Sequence, residues 1–333
     1  MRGATLLAKT RIDPFIIGIL ATVGVACVLP ARGQGAGIAS VVSTVGVGAL
    51  FFLYGARLST AEAMAGLRHW RLHLAILAST FVLFPALGLV TKLLPSALLS
   101  PALVAGVIFL CALPSTVNSS IAFTSIARGN VAAAICAASF SSIIGIVLTP
   151  LLVGLLLNTA GSGFSWHAVT SIVLQLLVPF VAGQVLRPWI GGWITARKKV
   201  LGRADRSVIL IIVYTAFSEG VAAGIWHQLS WLSLIVLLAV NVALFFAVLG
   251  VLKFATRRLG FAREDRIAII FAGSKKSLAS GLPMATVLFP AHSVGLIVLP
   301  LMLFHQAQLM ICAVLARRWG AEVKDRELAP AAA

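Results

Sequence analysis

The chain is short of acid. Only nine of its 333 residues are Asp or Glu, against 26 Lys and Arg, and charged residues of both signs make up 11%. A soluble domain carries about 25% charge over its surface, so this chain cannot build such a surface. Cysteine is scarce as well. Cys27, Cys111, Cys136 and Cys312 each stand in an apolar run, with no Cys-x-x-Cys and no Cys/His cluster. That argues against a disulfide framework or a cysteine metal site and reads the four as small core residues. Within the apolar runs there is no Ser/His/Asp set, no metal-ligand spacing and no pair of carboxylates. Nothing there marks an enzyme.

What the chain has in abundance is hydrocarbon. Apolar residues make up 60% and the mean hydropathy is +1.05. Ten apolar runs recur, approximately 13–30, 37–56, 72–95, 101–126, 130–158, 167–191, 206–226, 229–254, 266–290 and 294–316. Each is long enough for a helix to cross roughly 30 Å of bilayer. The first follows Arg2, Lys9 and Arg11 and could be mistaken for a cleaved leader. It is read as a span because the count needs it to be even. The expected fold class is therefore an all-α polytopic membrane protein: one transmembrane domain over 1–320, then a polar tail over 321–333, disordered from about Lys324.

The positive charge has a pattern. With the N-terminus in the cytoplasm, 22 Lys and Arg fall in cytoplasmic segments and two, Arg32 and Lys92, fall opposite; the remaining two are Lys275 and Lys276. The bias places both termini in the cytoplasm. It also explains the net charge of +17 as topology and contact with the lipid bilayer rather than nucleic acid binding.

Ten spans divide into two sets of five, about 13–158 and 167–316. An odd number per set gives the two halves opposite orientation, the geometry of inverted-repeat transporters. Span four is interrupted by Pro114-Ser-Thr-Val-Asn-Ser-Ser120 and span nine by Gly273-Ser-Lys-Lys-Ser277. Each is fourth in its half, and matched breaks point to a binding site at the bilayer midplane. A broken helix frees carbonyls that attract cations and N–H groups that attract anions. Around the first break, Thr116, Asn118, Ser119 and Ser120 offer neutral oxygen and amide groups, although Ser and Thr also bond back to their own helix. Around the second, Ser274, Lys275 and Lys276 bring two charges to a depth where each costs a few kcal/mol or more by roughly the insertion scales.

Glu219 is the one carboxylate well inside a span. It is the candidate partner of a lysine, and such a pair would make a proton site. In span ten, His305 and Gln308 share a helix face, while Gln306 points elsewhere. Whether His305 and Gln308 serve the site or only bridge helices stays open. Gln175 and Gln184 of span six are read as structural.

These features resemble the bile acid:sodium symporter superfamily. The resemblance rests on the ten spans, the breaks in four and nine, and the string Ala127-Arg-Gly-Asn130. Gly273-Ser-Lys-Lys-Ser-Leu-Ala-Ser-Gly281 and Phe304-His-Gln-Ala-Gln308 look like its divergent sodium/bile acid symporter-like branch. It implies a core domain of spans three to five and eight to ten, with four and nine crossing beside the cavity, and a panel of spans one, two, six and seven. It implies cation-coupled symport of a small organic anion by alternating access, a plasma membrane location (a bacterial inner membrane), and no cofactor beyond a coupling ion, sodium or proton. A sodium site would lie near Asn118 and Ser119.

The departures from that pattern are specific. The acid and glutamine of sodium-coupled members are replaced by Phe271-Ala-Gly-Ser-Lys-Lys276. A glutamine expected in span three is Thr80, and hydroxyls expected in span five fall at Ala134 and Ala138. The expectation is that a lysine ammonium stands in for sodium, with transport proton-coupled through Lys275 and Glu219 or uncoupled; Glu219 would then sit on the panel and close the pair only in some states. The alternative class is a non-transporting regulator or scaffold built on the same fold.

Overall fold

The structure is a computed structural model and describes residues 14–57, 69–157, 173–222, 224 and 229–328. Arg2, Lys9, Arg11 and Arg68 of the charge count, the start of the sixth run (167–172) and tail residues 329–333 lie outside the described residues. Among those described there is no strand. The helices are α1 (Pro14–Val28), α2 (Gln34–Arg57), α3 (Trp70–Leu93), α4 (Pro101–Ala112), α5 (Asn118–Ile126), α6 (Val131–Leu157), α7 (Val178–Ala196), α8 (Lys198–Ala222), α9 (Trp231–Arg258), α10 (Arg263–Gly273), α11 (Leu278–Leu288) and α12 (Ala291–Leu328). A π turn, Val173–Leu177, leads into α7. Among the described residues five helices, α2, α3, α6, α9 and α12, are long and apolar enough to span a bilayer. Large apolar side chains such as Trp231, Ile235 and Phe246 point outward, as a lipid-facing surface requires. The chain is a polytopic helical membrane protein.

The helix ends follow local chemistry. Ser100 caps α4, its hydroxyl accepting from the Leu103 N–H, and Pro101 occupies the first turn; Ser230 caps α9 in the same way. Such caps satisfy N–H groups that the helix leaves free. The apolar run 101–126 becomes two helices because Pro114 follows the end of α4, and 266–290 becomes two because residues 274–277 are not helical. The last helix continues to Leu328. The tail expected to be disordered from Lys324 is therefore helical for its first five residues. Cys111 and Cys312 are buried as expected, whereas Cys27 faces outward.

The helices sort into two groups. α1, α2, α7 and α8 pack on one another; α3 to α6 and α9 to α12 form the second group; α8 meets α11 and α12 along the seam. The tightest junction is α2 against α7. A Cβ on Gly55 would land on the Phe180 carbonyl, and one on Gly183 on the Phe52 carbonyl. Only glycine lets these backbones approach so closely. The second group is filled by rings, with Phe304 edge-on to Phe84 at 5.9 Å and to Phe245 at 6.1 Å.

Candidate functional site

The two breaks meet. The Ser277 N–H donates to the Pro114 carbonyl at 3.0 Å, joining one interruption to the other through the backbone. Around this joint each helix end must find partners for its last carbonyls, because no water reaches them in hydrocarbon. At the end of α10, three serines do this. Ser120 donates to the Phe271 carbonyl at 3.1 Å, Ser115 to that of Ala272, and Ser79 of α3 to that of Gly273 at 2.8 Å. At the end of α4, Thr149 donates to the Ala112 carbonyl at 2.8 Å. The carbonyls of Cys111 and Leu113 go instead to one cation.

That cation is Lys276. Its Nζ donates to the carbonyls of Cys111 and Leu113 at 2.7 Å each and of Thr80 at 2.8 Å, and sits 4.2 Å above the centre of the Phe84 ring. Three N–H bonds use all three donors of an ammonium. The site also lies at the negative end of the α4 dipole. The Thr80 carbonyl is free for a readable reason. Residues Ser79–Leu83 form a π turn in which the Phe84 N–H reaches back five residues to Ser79. The matching partner of Thr80 would be residue 85, a proline without an N–H. The Lys276 backbone is held as firmly. Its N–H donates to Gln308 Oε1 at 2.9 Å and its carbonyl accepts from Gln308 Nε2 at 2.9 Å. Gln308 Nε2 also donates to His305 Nδ1 at 2.8 Å.

Lys275 is equally buried and far less satisfied. Its one hydrogen bond is to Ser119 Oγ at 3.3 Å, and its other neighbours are ring faces, Phe123 at 4.6 Å and Phe271 at 5.7 Å from their centres. Ser119 in turn donates to Thr116 Oγ1 at 3.3 Å. Both hydroxyls belong to the first break, where α5 begins at Asn118 with no side-chain cap. α11, its counterpart in the second break, is capped by Ser277. Asn118 is exposed, and Ser274 is fully buried with its hydroxyl unpaired.

Eight of the nominated residues thus cluster at the joint through contacts: Thr116, Ser119, Ser120, Ser274, Lys275, Lys276, His305 and Gln308, with Asn118 at its open edge. Glu219 does not join them. It lies in a separate cavity beside Gln175, Thr215 and Thr286, and the ionisable group whose charge acts on it is His292. Both ammonium groups have other partners, so the expected Lys–Glu pair is not formed in this structure. The reason is the break itself: residues 274–277 are unwound and turn both side chains toward α4 and α5. Gln175, read as structural, lines that cavity.

Several partners of the site were missed from sequence: the carbonyls of Thr80, Cys111 and Leu113, the hydroxyls of Ser79 and Thr149, that of Ser141, which accepts from the Ser115 N–H at 3.1 Å, and the rings of Phe84 and Phe123. Pro85, five residues after Thr80, is the signal that could have pointed to one of them. The string Ala127–Asn130 is the turn between α5 and α6. The Asn130 side chain caps α6 through the Ala133 N–H at 3.0 Å and donates to Asp265 of α10 at 2.8 Å, so it ties the two broken spans together at their far ends.

Comparison with known proteins gives the family. A profile of the SBF-like CPA transporter family matches residues 13–321. The chain belongs to that family. YfeH of Escherichia coli (strain K12), which bears a provisional symporter name, is 51% identical over 92% of this chain and 93% of its own length. An uncharacterized protein of Pseudomonas aeruginosa, PA2026, is 53% identical over 96% and 97%. Sodium/bile acid cotransporter 7 of Mus musculus is 34% identical over 93% of each chain. Members of the SBF-like CPA transporter family are transporters rather than enzymes, and this places the chain in the bile acid:sodium symporter superfamily. The sodium ion that the superfamily name implies can be tested against the joint. The free carbonyls are each within hydrogen-bond reach of Lys276 Nζ, and Ser119 faces the second ammonium. These residues do not fit sodium there, because a cation already fills the cage and another borders it.

Proposed function

We propose that the chain is a secondary transporter of a small organic anion, independent of sodium, in which the Lys276 ammonium takes the place of a bound coupling ion at the crossing of two broken spans. The observation that carries the reading is the three-carbonyl cage around Lys276 Nζ. On this reading the twelve helices make ten spans in two inverted sets of five, with both termini in the cytoplasm. The group α1, α2, α7 and α8 is the panel. The other helices are the core that moves against it.

The anion is bound where positive potential is left over. Lys275 has two donors without a hydrogen-bond partner, and the uncapped start of α5 directs its first N–H groups at the same break. Thr116 and Asn118, at the accessible edge, are placed to contact the solute. Lys276 fixes the joint and Lys275 meets the charge. The test compares organic-acid accumulation in bacterial cells that lack the chain, that regain it, and that regain it as Lys275→Gln. Restored cells are expected to shift the level of at least one anionic solute. Lys275→Gln, present in the membrane in equal amount, should fail to do so, and replacing sodium by choline should change nothing. Equal profiles in restored and lacking cells, or full activity of Lys275→Gln, would contradict the reading.

A further inference from the structure

Glu219 has no place in the lysine joint, yet its surroundings are built. It borders a cavity of about 70 Å³ on the seam, lined from α2 by Ser43 and Thr44, from the turn before α7 by Gln175, from α8 by Thr215 and Glu219, and from α11 by Thr286. The space suits about two waters, each taking roughly 30 Å³. Three of the hydroxyls are already committed. Thr44 donates to the Ser40 carbonyl at 3.0 Å, Thr215 to that of Ile211 at 2.9 Å and Thr286 to that of Pro283 at 2.8 Å. A hydroxyl has one proton to give, so each of these three oxygens can only accept toward the cavity. With a carboxylate among them, the wall attracts positive charge and repels anions.

The walls come from both helix groups: α2 and α8 on one side, α11 and α12 on the other. Among the described residues, the titratable side chain whose charge bears on Glu219 is His292, at the start of α12. Around the cavity α2 and α11 contribute hydroxyls, and Gln175 is neutral.

We propose that this cavity is a proton site: a proton from the aqueous phase binds the Glu219 carboxylate, with the cavity's waters carrying it past the acceptor oxygens, and its binding couples movement of the two helix groups. The only bond made is O–H on the carboxyl; release reverses it. Protonation removes the negative charge that Glu219 places on the seam, so α8 can slide against α11 and α12. The coupling role rests on the transport reading above, whereas proton binding does not.

The test is infrared difference spectroscopy of the purified full chain in detergent, titrated between about pH 5 and about pH 8 in choline. Glu219 is the one acid well inside a span, so its carboxylic-acid C=O band is separable from the others. We expect a band that fades as pH rises, is missing in Glu219→Gln, and shifts its midpoint in Thr215→Val, which removes one acceptor oxygen. Glu219→Gln keeps the shape of the protonated side chain and should unfold at the temperature of the wild type at low pH. A band unchanged in Glu219→Gln overturns the proposal. So does a midpoint displaced when sodium or potassium replaces choline, since the cavity would then hold an alkali ion. Lys275 variants should leave the band in place, so loss of transport in those variants and loss of this proton site are read separately.

Discussion

Lys275 and Lys276 are neighbours in sequence and opposites in environment. Lys276 gives all three N–H groups to carbonyls that have no other donor, so its removal strands three buried acceptors. An unpaired buried acceptor costs about 1–3 kcal/mol. Lys276→Met is therefore expected to destabilise the protein by about 3 kcal/mol or more. Lys275→Met gives up one long hydrogen bond and contacts with two rings, together worth about 1 kcal/mol, and it also removes the cost of an under-solvated charge. Thermal unfolding in detergent should rank Lys276→Met well below Lys275→Met; the reverse order would contradict the division of roles. Ser115→Ala tests the other helix end. It leaves the Ala272 carbonyl without a partner and should cost about 1–2 kcal/mol by the same measurement.

At the scale of elements, each pair of half-helices is stabilised by what closes its ends and by how near its neighbours can come. The α2–α7 junction depends on two glycines that admit a backbone carbonyl. Gly183→Ala should push the helices apart and lower stability by about 1–3 kcal/mol, the usual cost of overpacking, while Gly154→Ala, with open space around it, should be close to neutral. Equal unfolding temperatures for the two variants would refute the close approach. Much at this scale was legible beforehand. Hydropathy located the runs, and Pro114 with the Ser274–Ser277 segment located both interruptions. The spacing of His305 and Gln308 placed them on one face, where they do bond each other. What stayed hidden were backbone carbonyls, which carry no signature in side-chain identity, and partners such as Thr149 and Ser79 that folding brings in from distant helices. Pro85 shows the boundary: its missing N–H could be read, but not that Lys276 would come to the freed oxygen.

For the whole molecule, sequence alone gave the membrane class and the polar centre, and family membership followed. It did not give the allocation of charges. Glu219 is the one acid well inside a span, so elimination nominates it as a lysine's partner, placed on the panel and paired only in some states. In this structure it stands on the seam, facing hydroxyls from both helix groups, and the lysines go to carbonyls and rings. The molecule therefore has two electrostatic centres, a positive one within the second helix group and an acceptor-lined one between the groups.

The central claim is that a side-chain ammonium fills the cation cage at the joint. It is tested most directly by thermal unfolding of the purified protein in sodium against choline at equal ionic strength, with Lys276→Gln alongside the wild type. A ligand that binds only the folded state raises its unfolding temperature by mass action. The account predicts no sodium effect on the wild type and a clear stabilisation by sodium in Lys276→Gln, whose carbonyls are then free. Stabilisation of the wild type by sodium, undiminished in Lys275→Gln and unchanged in Lys276→Gln, would contradict it.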